Sequence, residues 1–255
     1  MTSRATLVES LPAGLFEPPR SGAAAGHSTA SALLRLTEAA QETIDLTAMY
    51  WSLLHDPQRA DEAGFPPGAI TALQTEPGRA LYHALGSAAA RGVRIRIVQS
   101  PGFDGLDEVE ALTERFPDRV EARTLNMRDW FGGGIMHQKL WLFDRRHFYV
   151  GSANMDWRAL TQVKELGVVV EDDPPLAEDL LRLYEAWWRF AALEPAPVAD
   201  VYDPQIGLSR PVPGWSSLLA REGVAQTPSP FADPALAARS SLDDPLPVSW
   251  NGAAG

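Results

Sequence analysis

Three short runs rich in β-branched and apolar residues recur along the first half of the chain, each preceded by a segment of helix formers. The runs are TIDLTAMYW (43–51), VRIRIVQS (93–100) and VEARTLN (120–126). The first places Ile44, Leu46, Ala48 and Tyr50 on one side, the two-residue period of a strand. Residues 28–41 carry Leu33, Leu34 and Leu36 among helix formers, with Ser28 or Thr29 as N-cap. A second helix is expected over 77–90, stopped by Gly92, and a third over 107–116. Helices and strands that alternate through short connections predict an α/β fold, a mixed and largely parallel β-sheet flanked by helices on both faces.

The rest of the chain reads around that frame. Residues 55–76 are polar and rich in Pro and Gly, as in a surface loop. Gly132, Gly133 and Gly134 break any helix ahead of a strand at 135–143, and a hairpin at Asp144, Arg145 and Arg146 leads into a strand of HFYVGS. GVVV (167–170) reads as a buried strand, and Pro174 and Pro175 open a helix over 176–192. Its apolar stripe is expected to hold Leu180, Leu183, Tyr184, Trp187 and Trp188. Residues 1–27 look irregular, with LVESLP a candidate edge segment, and SSLLARE (216–222) reads as one or two helical turns. Ten of the 21 prolines fall in the last 61 residues, so 196–255 is expected to be a poorly ordered segment after a domain at 28–195.

Composition narrows the function classes. The chain has no cysteine, which excludes disulfides, thiolate metal sites and a cysteine nucleophile. No apolar run approaches a membrane span and residues 1–20 lack a signal-peptide core, so the chain reads as soluble and, if complete, cytoplasmic. A net charge of −11 argues against a general polyanion-binding surface. The charge is uneven, however. Residues 137–165 hold five Lys/Arg against three carboxylates, whereas 166–255 hold thirteen acids against five bases. The locally basic stretch suits an anionic ligand; a solvated loop would account for Arg145 and Arg146 equally well.

That stretch carries the chemistry. Residues two apart on a strand share a face, so His137 and Lys139 project together. An imidazole beside an ammonium is a poor way to build a core, because burying unpaired charge is costly. It is a reasonable way to hold a phosphate: the Lys binds non-bridging oxygens and the imidazole attacks phosphorus. Ser152 and Asn154 offer neutral donors just past the next strand, or simply make a turn. Glu165 is an acceptor able to fix the tautomer of His137.

The spacing His137-x-Lys139-x4-Asp144-x6-Gly151-Ser152-x-Asn154 resembles, at every position, the motif of the phospholipase D superfamily. Residues 6–205 resemble in particular the N-terminal half of the branch that includes lysosomal 5′-exonucleases. The resemblance implies a phosphodiesterase with a phosphohistidine intermediate. It makes His137 the nucleophile or general acid, and Lys139, Ser152 and Asn154 phosphate binders. Glu165 would orient the imidazole, and Asp144 completes the catalytic motif, more in keeping with a structural part. No cofactor or metal is expected.

The superfamily's reaction uses two such motifs, and none of His27, His55, His83 or His147 begins a second one. The resemblance therefore implies a homodimer, or a complementing chain with the second motif; the alternative is an inactive fragment with a binding role. Expected substrates are single-stranded nucleic acid or, alternatively, phospholipid. Tyr50, Trp51, Trp130 and Phe131 are candidates either for base stacking or for the core.

Overall fold

The computed structural model describes residues 3–13, 28–57, 67–101, 106–131 and 134–192, together with 202–203, 208–209, 248–250 and 253–254. Among these, the elements in chain order begin with β1 (Ser3–Ser10), α1 (Thr29–Ala39), β2 (Thr43–Ala48), β3 (Trp51–Ser52), α2 (Pro67–Ala72), α3 (Glu76–Arg91) and β4 (Arg94–Gln99). They continue with α4 (Leu106–Arg115), β5 (Val120–Thr124), α5 (Met127–Phe131), β6 (Leu140–Phe143), β7 (His147–Gly151) and β8 (Met155–Asp156). Then come α6 (Trp157–Thr161), β9 (Glu165–Glu171) and α7 (Pro174–Phe190), and four short strands: β10 (Tyr202–Asp203), β11 (Leu208–Ser209), β12 (Val248–Trp250) and β13 (Ala253–Ala254).

The main sheet runs β13-β12-β1-β9-β7-β6-β2-β4-β5. It is mixed, as expected. Strands β2, β4 and β5 are parallel, joined by crossovers through α3 and α4, while β1, β9, β7 and β6 alternate in antiparallel pairs up to β2. Helices cover both faces. On one, α1, α3 and α4 pack Leu33, Leu81, Leu85 and Leu112 onto Ile44, Leu46, Ile95, Ile97 and Trp141. On the other, α7 lays Ala177, Leu181, Tyr184 and Trp188 over Leu140, Leu142 and Phe148. No helix among the described residues is long and apolar enough to cross a membrane.

Local signals explain several boundaries. Ser28 caps α1 by accepting from the Ser31 N–H at 3.3 Å, and Asp173 caps α7 through the Leu176 N–H at 3.1 Å. Gly92 ends α3 with φ +102°, a left-handed conformation that glycine adopts without a Cβ clash. The β6–β7 hairpin turns at Asp144 and Arg145, both at positive φ, and closes with the Arg146 N–H on the Phe143 carbonyl at 3.0 Å. Two consecutive left-handed residues give the turn the hand that matches strand twist.

Five expectations need correction. The N-terminal segment taken as irregular contains β1, which pairs with β9 over seven residues; β12 pairs on its other side with Ser3, Arg4 and Ala5 only, which stops short of LVESLP. The run 43–51 is two strands, because the chain leaves the main sheet after Ala48 and Trp51–Ser52 pairs with β8 instead. Regular strand begins only at Leu140, not at 135. On α7 the buried stripe is Ala177, Leu181, Tyr184 and Trp188, with Leu180 and Trp187 packed partly buried against the same cluster, so of the expected stripe Leu183 alone is exposed. The loop expected over 55–76 holds α2 and the first residue of α3. SSLLARE lies outside the described residues, as do most of residues 196–255.

A buried ionic junction fixes α7 to the sheet. Arg96 on β4 lies 2.5 Å from Asp45 on β2 and 2.8 Å from Glu185 on α7. Its guanidinium also lies over the rings of Tyr184 and Trp188, at 5.1 and 5.2 Å. Register makes Asp45 and Arg96 direct neighbours, so the charge pair is built into the parallel pairing of β2 and β4.

Candidate active site

The carboxyl ends of β2, β4, β5 and β7 and the amino ends of β6 and β9 all meet at one edge of the sheet. This follows from the pairing directions, and open α/β sheets commonly bind ligands at such an edge. The residues 136–139 enter there, just ahead of β6. Their path is set by two hydroxyls. Thr47 donates to the Gln138 carbonyl at 3.0 Å and accepts from the Leu140 N–H at 3.0 Å. Ser100, at the end of β4, accepts from the Met136 N–H at 2.8 Å. These three bonds lock the segment although it lies outside the regular ladder.

His137 and Lys139 come together as expected. The Lys139 ammonium is within 3.1 Å of Nδ1 and 3.3 Å of Nε2 of the exposed His137 ring, and it donates to the His137 carbonyl at 2.8 Å. Lys139 is itself buried, with 4% of its surface exposed, and burial lowers its pKa, with the nearby Glu165 carboxylate pulling it back up. A desolvated cation beside an imidazole at such a sheet edge has the charge and donors to hold an anion.

The remaining candidates divide. Asn154 is half-buried, its side chain reaches the Tyr50 hydroxyl, and its Oδ1 is a buried acceptor without a partner. Glu165 opens β9 and acts electrostatically on Lys139 and Tyr149. Ser152 has a different role from the expected phosphate donor. Its hydroxyl donates to the Leu166 carbonyl at 3.2 Å and accepts from the Leu166 N–H at 3.0 Å, which ties the loop to β9 beside Glu165.

Asp144 must be removed from the catalytic set. It sits at the opposite end of β6, and its carboxylate accepts the N–H groups of Gln41, Glu42 and Thr43 at 2.8 to 3.2 Å. It clamps the α1–β2 turn to the hairpin. His147 lies at that same end, where its Nδ1 accepts from the Asp172 N–H at 3.0 Å.

The structure adds a network that residue spacing does not reveal. The Tyr50 hydroxyl donates to buried Asp156 at 2.9 Å, and Arg158 binds the same carboxylate through Nε at 3.0 Å. Burial and Asp156 both push the Tyr50 phenol well above its usual pKa. The Leu53 and Leu54 N–H groups bond to Glu108 on α4, each at 3.0 Å. These bonds tie Tyr50 to Asp156, just past Asn154, and residues 53–54 to α4. Asp156 also caps α6 by accepting from the Arg158 N–H, and that cap was the one sequence signal available. Trp51 is fully buried and belongs to the core, Tyr50 spends its hydroxyl on Asp156, and the side chains of Trp130 and Phe131 lie outside the described residues.

With this geometry in place, known proteins give an independent measure. The family profile described as cardiolipin synthase, PLD-like domain, matches residues 68–188. The chain is 37% identical over 184 residues to the rat protein named 5'-3' exonuclease PLD3, covering 72% of this chain and 34% of that protein. It is 33% identical over 183 residues to the Caenorhabditis elegans protein named probable phospholipase D F09G2.8, covering 72% of this chain and 29% of that one. The chain thus spans about a third of the length of these relatives. Among solved structures, the phospholipase D family member Nuc from Salmonella typhimurium shares the fold at a TM-score of 0.50 and 19% identity, over 73% of this chain and 95% of that one. Motif, fold and relatives agree: the chain belongs to the phospholipase D superfamily.

Proposed function

We propose that this chain is one half of a phosphodiesterase that cleaves single-stranded nucleic acid from the 5′ end. The observation that carries the reading is the buried Lys139 ammonium against the His137 ring, within the field of Glu165. Similarity to the 5'-3' exonuclease relatives supports the substrate class. In the proposed reaction a neutral His137 nitrogen attacks phosphorus, the P–O bond to the leaving nucleoside oxygen breaks, and Lys139 and the Asn154 amide bind the non-bridging oxygens. A second histidine protonates the leaving oxygen, then takes a proton from water as that water attacks the phosphohistidine. The sequence carries one His-x-Lys-x4-Asp motif, so in this reading the second histidine comes from another copy of this chain or a complementing polypeptide.

The experiment is a subunit-mixing assay with 5′-labelled single-stranded DNA. His137→Ala alone is expected to lose at least about a thousandfold in rate. Wild type titrated with excess His137→Ala should lose activity as mixed dimers form; activity that stays constant through the titration would refute a site shared between copies. A lipid reading is favoured by the phospholipase D name of the nematode relative and by the cardiolipin synthase profile. Hydrolysis of phosphatidylcholine vesicles with no cleavage of DNA would select it.

A further inference from the structure

The ladder between β2 and β6 stops at the pair Thr47 and Leu140. One more residue of the same register would set Ala48 opposite Lys139 and leave the pairing to main-chain groups. Two side chains do that work instead. The Thr47 hydroxyl donates to the Gln138 carbonyl and accepts from the Leu140 N–H, each at 3.0 Å. Between them, the Lys139 carbonyl accepts from the Gly151 N–H at the end of β7 at 3.3 Å. Both peptide units that flank Lys139 are therefore tied, the first to Thr47 and the second to Thr47 and Gly151 together. Ser100, one residue past β4, acts in the same way ahead of His137. Its hydroxyl accepts from the Met136 N–H at 2.8 Å and donates to the Met136 carbonyl at 3.3 Å.

Burial leaves these bonds without a substitute. Thr47 and Ser100 are both 0% exposed, so water does not replace a hydroxyl removed from either position. A buried backbone donor stripped of its acceptor is costly, and the segment must shift to satisfy it. Such a shift reaches the reacting groups directly. The Lys139 ammonium donates back to the His137 carbonyl at 2.8 Å and lies 3.1 Å from the ring, so the path of residues 136–140 sets the distance between ammonium and imidazole. Valine has the shape of threonine without its hydroxyl, so packing alone does not call for threonine at position 47. Because β2 and β4 are parallel neighbours, both hydroxyls arrive at the same edge of the sheet.

We propose that Thr47 and Ser100 are positioning residues of the candidate site, their hydroxyls replacing the sheet ladder over residues 136–140 so that the Lys139 ammonium is held against His137. The inference rests on the reading of His137 and Lys139 as the reacting centre, and its first readout requires no turnover.

The chain contains two lysines, Lys139 and Lys164, so labelling lysine Cε with carbon-13 gives two NMR signals in the full chain, which Lys164→Arg assigns. Burial holds the Lys139 pKa below the ordinary 10.5. Thr47→Val is expected to let water reach the ammonium and raise the Lys139 midpoint by about 0.5 pH unit or more. It should also slow cleavage of 5′-labelled single-stranded DNA by about ten- to a hundredfold. Thr47→Ser keeps the hydroxyl and sheds a buried methyl. It should melt below wild type, yet restore the midpoint to within about 0.2 unit and the rate to within about threefold. A residue that only stabilised the fold would move the melting temperature and leave the lysine signal in place. Ser100→Ala, with the same expected rise, supplies the test if Thr47→Val does not fold. A rise of less than about 0.5 unit in the hydroxyl-free variant that folds, or an equal rise in Thr47→Ser, overturns the proposal. A rise in a chain that cleaves no DNA refutes the proposed function and leaves the positioning role standing; cleavage by wild type with no rise in the variants gives the converse.

Discussion

Asp144 completes the sequence motif, yet its geometry assigns it to stability, and Asp144→Ala separates the two roles. The substitution removes the acceptor for three backbone donors, Gln41, Glu42 and Thr43. Two of the three bonds are exposed, which keeps each near the low end for a charged acceptor, so about 2 kcal/mol is lost in all. Asp144 also holds φ at 52°, and alanine there adds about 1 kcal/mol of left-handed strain that aspartate eases through its short polar side chain. The sum is about 3 kcal/mol, which for a domain of this size lowers Tm by about 6–12 °C. The assay is thermal unfolding followed by circular dichroism, with Asp144→Gly and Asp144→Asn beside it. Glycine relieves the strain and should recover about a third of the loss. Asparagine tolerates the turn, keeps one acceptor oxygen and should recover about half. An Asp144→Ala protein that melts within 2 °C of wild type but has lost all activity would refute the structural assignment and return Asp144 to the catalytic set.

Other expected outcomes concern the buried charges and the rim. Arg96→Met leaves Asp45 buried without its partner and should cost about 3–5 kcal/mol in urea denaturation, most of it recovered in Asp45→Leu/Arg96→Met. Tyr50→Phe removes one donor to buried Asp156 while Arg158 remains, so a loss of about 1–2 kcal/mol is expected in the same assay. Asp172 is held below the usual carboxylate value of 3.8, first by its hydrogen bond to Arg146. The unfolded chain therefore binds that proton first, so the stabilisation is fully present above 3.8 and is lost as pH falls through the lower folded value. Asp172→Asn should flatten the acid limb of a stability-against-pH curve below 3.8 and leave neutral pH nearly unchanged. For Lys139, burial lowers the pKa, so activity should fall on the alkaline side at a lower pH than an ordinary lysine at 10.5 would give; a profile flat to 10.5 would contradict its role as the phosphate cation.

What the sequence determined by itself was whatever depends on neighbours along the chain. Period-two runs and capping residues placed α1, α3, α4, β4 and the β6–β7 hairpin, because those signals act within a few residues. His137 and Lys139, two apart, were legible as a pair for the same reason. Tertiary structure decided what depends on residues far apart in the chain. Only the β7–β9 pairing shows that Gly151 and Gly167, sixteen positions apart, form a slot for Tyr149. Only the turn joining α1 to β2 shows where the Asp144 carboxylate goes, across about a hundred residues. The same holds for Ser152, whose hydroxyl is taken by Leu166, and for Tyr50, whose hydroxyl is taken by Asp156. A short polar side chain has the same appearance in sequence whether it meets a ligand or a backbone amide, and the packing of distant strands makes that choice.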